Sequence, residues 1–157
     1  MKNLYLLRHA NTQPNTGDDK ARILTPKGVK EVQSIANQIL SAKYDFDIVL
    51  CSTAVRTKQT LHHLESFLDK ELYTEYKESL YNPSLNDFID TIKNTRDHFA
   101  NAIIISHNPT TSEAANYLIG ENKLSFGTAN LAILELDIKN WSQLTQRCAQ
   151  LKQLLKP

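Results

Sequence analysis

Leu4-Tyr5-Leu6-Leu7-Arg8-His9-Ala10 is a run of four apolar residues that ends abruptly in an arginine and a histidine. Residues 2–7 therefore read as a buried strand, and an uninterrupted apolar strand belongs in a sheet covered on both faces. A cation and an imidazole delivered together at the end of such a strand make an anion site beside a potential nucleophile.

Downstream, the polar stretch 11–22 carries turn signals at Gln13-Pro14 and Thr16-Gly17-Asp18 and is predicted to be a long loop. Loops of that length in compact domains are often functional. Thr25-Pro26-Lys27-Gly28 looks like a helix start, with Thr25 as N-cap and Pro26 at the first helical position. Val29, Val32, Ile35, Ala36, Ile39 and Leu40 then recur at helical spacing, which predicts a helix over 26–41. Residues 47–51 form a second buried strand, and Ser52 sits where it meets a helix predicted over 54–68. A third strand over 71–76, a short helix over 84–94, a very hydrophobic strand over 102–106 and a helix over 110–118 follow. Residues 129–136 read as a strand, whereas 142–156 fit either a helix or a late edge strand.

Alternating strands and helices predict an α/β fold: a three-layer α/β/α sandwich around a mostly parallel central sheet, with residues 1–157 as one domain. Ligands in such folds bind outside the C-terminal strand ends, and Arg8, His9, Ser52 and His107 all fall at such ends.

Composition sets the outer bounds. A chain of 157 residues buries roughly two-thirds of its unfolded surface, so it needs neither disulfide nor metal to fold. With 18 basic and 17 acidic side chains the net charge is +1, which gives no preference for nucleic acid or membrane. No segment approaches the ~20 apolar residues of a membrane span, and the few apolar residues before Arg8 fall short of a signal peptide. The chain is therefore expected to begin at Met1 and to stay in the cytoplasm. Cys51 and Cys148 lie far apart without C-x-x-C spacing and read as reduced thiols.

A phosphoryl group needs dispersed positive charge around its oxygens, and arginine supplies it as a planar fork that holds two oxygens at once. Arg8 ends the first strand, Arg22 closes the long loop, and Arg56 opens the helix after the second strand, where free backbone N–H groups also favour an anion. His62, His63 and His98 sit on helices or near a helix end without a ligand set and read as surface or packing residues. His9 and His107 each terminate a strongly apolar strand, so the pair suits the chemistry. A neutral imidazole attacks phosphorus and carries the group as phosphohistidine. Arginines and a second histidine stabilise the charge that spreads over the equatorial oxygens. His9, beside Arg8, suits the nucleophile, and His107 the electrostatic partner.

Leu7-Arg8-His9-Ala10, Leu24-Thr25-Pro26-Lys27-Gly28, Ser52 to Thr60 and Ile104-Ile105-Ser106-His107-Asn108-Pro109 resemble, in order, the four sequence blocks of the histidine phosphatase superfamily. The likeness is to its phosphoglycerate-mutase-like branch and, within that, to the small SixA-type phosphohistidine phosphatases. The resemblance implies a phosphoglycerate-mutase-like fold with no cofactor and no metal. It also implies that His9 is the phosphorylated nucleophile, that Arg8, Arg56 and His107 bind phosphate, and that Arg22 is the additional phosphate-binding arginine of SixA-type members. Ala10 departs from the glycine of many relatives but is small enough for the same close approach.

Members that act on phosphomonoesters commonly protonate the leaving alkoxide with a carboxylic acid after the third strand. Glu78 is the candidate in order, with Asp18 and Asp19 as substitutes from the loop, yet the surroundings typical of that acid are missing. A phosphoramidate needs the proton less. About two dozen residues separate Tyr76 from Ala102, too few for the helical cap of larger relatives, so an open site for a protein side chain is expected. The leading expectation is a phosphatase for phosphohistidine on a signalling phosphotransfer protein, acting as a monomer. A phosphatase for a small phosphomonoester and a phosphate-binding module without turnover stay open as alternatives.

Overall fold

The opening run is a strand, and it lies inside a six-stranded sheet of the computed structural model, which describes residues 1–157. The strands are β1 (Lys2–Arg8), β2 (Ile48–Ser52), β3 (Thr74–Lys77), β4 (Asn101–Ser106), β5 (Leu131–Leu136) and β6 (Ala149–Leu155). They are ordered β3-β2-β4-β1-β5-β6. β3, β2, β4 and β1 run parallel, β5 is antiparallel to β1, and β6 is antiparallel to β5. The sheet is thus mostly parallel, with an antiparallel hairpin closing one side.

Four helices complete the fold: α1 (Pro26–Ala42), α2 (Val55–Leu68), α3 (Leu85–Lys93) and α4 (Thr110–Ile119). Because successive residues of a strand point to opposite faces, each apolar strand feeds two cores. Leu4, Leu6, Leu50 and Ile104 pack with Phe88, Ile92, Ala115 and Leu118 of α3 and α4. Tyr5, Leu7, Val49, Cys51 and Ile105 pack with Val32, Ile35, Ile39, Leu61 and Leu64 of α1 and α2. Each fully buried Leu or Ile stabilises the fold by about 1.5–3 kcal/mol. The sheet is anchored from both sides, which is the three-layer sandwich that the alternation of elements predicts. No helix is long and apolar enough to cross a membrane.

Local rules set the element ends. The Thr25 hydroxyl accepts from the Gly28 N–H at 3.0 Å, and Pro26 follows at the first helical position. Ser84 and Asp87 form a reciprocal capping box at the start of α3. β3 begins at Thr74, later than predicted, where the Leu72 N–H turns to the Glu65 carboxylate instead of a neighbouring strand. The segment 142–156, which fitted helix or strand by spacing, is an edge strand over Ala149–Leu155. Its pairing with β5 slips between Ile133 and Leu134, so that Ile133 faces Gln153 while Leu134 faces Leu151. That extra residue spaces Leu151 and Leu154 three apart, which imitates a helix.

The loop between β1 and α1 is closely structured. Thr12 bridges to Leu24, a 3-10 turn spans Asp19–Ala21, and Asp18 caps that turn through the Lys20 N–H. Asn11 lies directly against α1: a Cβ on Gly28 would meet the Asn11 carbonyl oxygen at 2.3 Å, so only glycine fits there.

Candidate active site

Parallel register places the ends of β1, β2 and β4 side by side, with Arg8 opposite Ser106 and Cys51 opposite Ile105. Arg8, His9, Ser52 and His107 therefore meet on one rim, and the first turn of α2 brings Arg56 to it. The rings of His9 and His107 have centroids 5.3 Å apart.

The backbone fixes His9 from both sides. Its N–H donates to the Ser106 carbonyl at 3.0 Å and its carbonyl accepts from the Ala129 N–H at 3.0 Å. Its Nδ1 lies 2.8 Å from the Ala10 carbonyl, an acceptor only, so Nδ1 carries the proton and Nε2 keeps a free lone pair. His107 is oriented in the opposite sense. Its Nε2 is 2.7 Å from the Ser52 hydroxyl, which itself accepts from the Ala54 N–H at 3.4 Å. Ser52 and Nε2 share this hydrogen bond, and the other ring nitrogen, Nδ1, is buried without a partner.

The arginines share a pattern. Arg8 Nη1 donates to the Phe126 carbonyl at 2.9 Å, and Arg56, only 4% exposed, donates from Nη1 to the Asp19 carbonyl at 2.7 Å and from Nη2 to Asp19 Oδ2 at 3.1 Å. In both, Nε is buried and unpartnered. Buried polar nitrogens left unsatisfied are costly, and three of them, Arg8 Nε, Arg56 Nε and His107 Nδ1, lie on the rim of one sheet, a cradle where an anion's oxygens could satisfy them. Arg22 is placed differently. Its Nε donates to the Gln13 carbonyl, Nη1 to Asp19 Oδ1 and Nη2 to Thr12 Oγ1, so all three nitrogens are tied within the loop while its charge still reaches His9.

Burial, reinforced by the nearby arginines, pushes His9 down to about 4, and burial with Arg56 and His9 pushes His107 down to about 3. Both imidazoles are neutral at physiological pH. Burial alone would raise Asp19, but hydrogen bonds from Tyr81 and Arg22 and the charge of Arg56 outweigh it and hold the carboxyl at about 2.

Glu78 has an exposed side chain whose two oxygens both accept from Lys20 Nζ at 2.8 Å, with a further hydrogen bond from the Thr53 hydroxyl. Those contacts hold its carboxyl below the usual range. The geometry therefore gives Glu78 the surroundings of an ion-pair partner joining three loops. Asp18 caps the 3-10 turn. Asp19 and Tyr81, whose hydroxyl donates to Asp19 Oδ2 at 2.9 Å, are the rim residues that sequence reasoning undervalued. The sequence offers Asp19 only as a substitute acid on the loop, three residues before Arg22.

Residues 4–82 match the family model described as the histidine phosphatase superfamily (branch 1). The chain belongs to the histidine phosphatase superfamily. It is 30% identical over 156 residues to an uncharacterised protein of Mycobacterium tuberculosis, covering 92% of this chain and 96% of that relative. It is 27% identical over 150 residues to the phosphohistidine phosphatase SixA homolog of Haemophilus influenzae, covering 86% and 88%. Its fold matches the protein histidine phosphatase SixA solved with tungstate, with a TM-score of 0.85 at 22% identity, covering 98% of this chain and 96% of that one. Within this superfamily the enzyme is a histidine-type phosphatase.

Proposed function

We propose that this phosphatase hydrolyses phosphohistidine on a protein, through a covalent phosphohistidine at His9, and that it works as a single domain in the cytoplasm. In the first displacement His9 Nε2 forms a bond to phosphorus as the bond to the substrate imidazole nitrogen breaks. Arg8, Arg56 and His107 hold the equatorial oxygens, with the charge of Arg22 behind them. A water then attacks the phosphoryl group on His9, releases inorganic phosphate and restores the neutral imidazole.

The observation that carries the choice of substrate is the state of the carboxylates. Asp19 is held ionised at about 2, and Glu78 is exposed and ion-paired with Lys20. Neither holds a proton at neutral pH, whereas an alkoxide leaving group needs one. A phosphoramidate leaves through a nitrogen that already carries or readily takes a proton. The name of the Haemophilus influenzae relative supports the same substrate class.

The test is a comparison of rates on a phosphorylated phosphotransfer protein and on an aryl phosphate, with radiolabelled phosphate trapped by alkaline quench. The phosphoprotein should react faster, and label should appear on the wild type but not on His9→Ala. Faster turnover of the aryl phosphate sinks the substrate assignment, and label retained in His9→Ala sinks the nucleophile.

A further inference from the structure

The guanidinium of Arg56 has two usable edges: an end-on edge of its two terminal nitrogens, and a side-on edge of Nε with one of them. Asp19 takes the end-on edge, through its backbone carbonyl at 2.7 Å and its Oδ2 at 3.1 Å. The side-on edge keeps a buried, unpartnered Nε. The other carboxylate oxygen, Oδ1, accepts from Arg22 Nη1 at 3.1 Å, and the Tyr81 hydroxyl donates to Oδ2 at 2.9 Å. One carboxylate on the 3-10 turn of the first loop therefore fixes a helix arginine, a loop arginine and a tyrosine beside His107, whose ring centroid lies 5.8 Å from that of Tyr81.

We infer that Asp19 is a positioning residue: it grips Arg56 by the end-on edge so that the side-on edge is presented, already aligned, to the phosphoryl oxygens. The inference rests on the reading of the rim as a phosphate pocket and adds a residue to it. Two other roles for the same carboxylate make opposite predictions. A tethered competitor for the anion seat would weaken phosphate binding, so its removal would tighten it. A proton donor would matter only for poor leaving groups. Positioning predicts that removal weakens phosphate binding and slows every substrate alike, because an aligned fork loses part of its freedom before the ligand arrives.

The probe is inorganic phosphate titrated into the full chain by calorimetry, for the wild type, Asp19→Ala, Asp19→Asn, Arg56→Ala and the double variant Asp19→Ala/Arg56→Ala. Asp19 lies on a partly exposed turn, and circular dichroism of each variant checks the fold. Asp19→Ala should weaken phosphate binding by about 10- to 100-fold, the scale of a lost charge-assisted hydrogen bond, and Asp19→Asn, which keeps one acceptor oxygen, by less. In the Arg56→Ala background the same substitution should cost at least about 5-fold less, since its main client is gone. Tighter binding by Asp19→Ala overturns the inference, as does an equal loss in both backgrounds. Turnover of aryl phosphates with good and poor leaving groups should fall by a common factor, and a loss confined to poor ones marks a proton donor instead. If Arg56→Ala itself leaves phosphate binding unchanged, the pocket reading fails. If Arg56→Ala weakens binding and Asp19→Ala does not, only the role of Asp19 falls.

Discussion

Two buried neutral imidazoles should make the ligand-free enzyme acid-sensitive well above the range in which carboxylates titrate. In the unfolded chain each histidine takes a proton near pH 6.5, whereas folded His9 does so at about 4 and folded His107 at about 3. Their folded values lie below the unfolded ones, so the unfolded state binds more protons between these limits. The stability is complete above pH 6.5 and is lost as pH falls. At pH 5 an unfolded imidazole is almost fully charged and a folded one almost fully neutral, which costs about 2 kcal/mol for each, or about 4 kcal/mol for the pair relative to pH 8. That is a large share of the 5–15 kcal/mol that holds a typical domain together. Trp141, the sole tryptophan and fully buried, reports urea unfolding at pH 8, 6.5 and 5 in phosphate-free buffer. A His9→Asn/His107→Asn variant should lose most of the drop. His63, also lowered by partial burial, is present in both proteins and cancels in the difference. Phosphate at pH 5 should restore stability to the wild type, because an anion in the cradle favours the charged imidazoles. A wild-type drop below about 1 kcal/mol, or an undiminished drop in the double variant, would refute the reasoning.

Other substitutions separate roles around the same rim. Glu78→Gln should leave the rate on phosphoprotein within about threefold, because an exposed ion pair contributes little; a hundredfold loss in kcat would restore it as the acid. Ser52→Ala leaves His107 Nε2 without its partner and frees the tautomer, so kcat/KM should fall by roughly 5- to 30-fold with the fold intact, as judged by near-UV circular dichroism. Gly28→Ala drives a Cβ into the Asn11 carbonyl and should destabilise by about 1–3 kcal/mol in urea unfolding, with activity falling because Asn11 lies two residues beyond His9.

The centre of the sheet was legible because residues 4–7, 48–51 and 102–105 are short uninterrupted apolar runs bounded by polar residues, and parallel order then lines up their ends. Thr25-Pro26 and Ser84 marked helix starts through side chains that act within a single turn. β6 was ambiguous because its register slip removes the alternation by which a strand is recognised. The rim residues contributed by strand ends were visible for the same reason as the strands. Tyr81 and the Phe126 carbonyl were not, and Asp19 was legible only as a substitute acid and not as the partner of Arg56, since these roles depend on three loops meeting in space. Sequence order pointed to Glu78 as the carboxylate to consider, whereas proximity to the arginines belongs to Asp19.

Lys20, Thr53 and Glu78 come from three separate loops and join through exposed contacts around a centre whose own residues are held by strand ends and a buried helix turn. Such a layout divides a buried reactive centre from an exposed collar of polar contacts. Substitutions in the exposed collar can therefore alter what meets the rim without disturbing the strand ends that hold His9 and His107, so the outer contacts and the reactive centre are open to separate change.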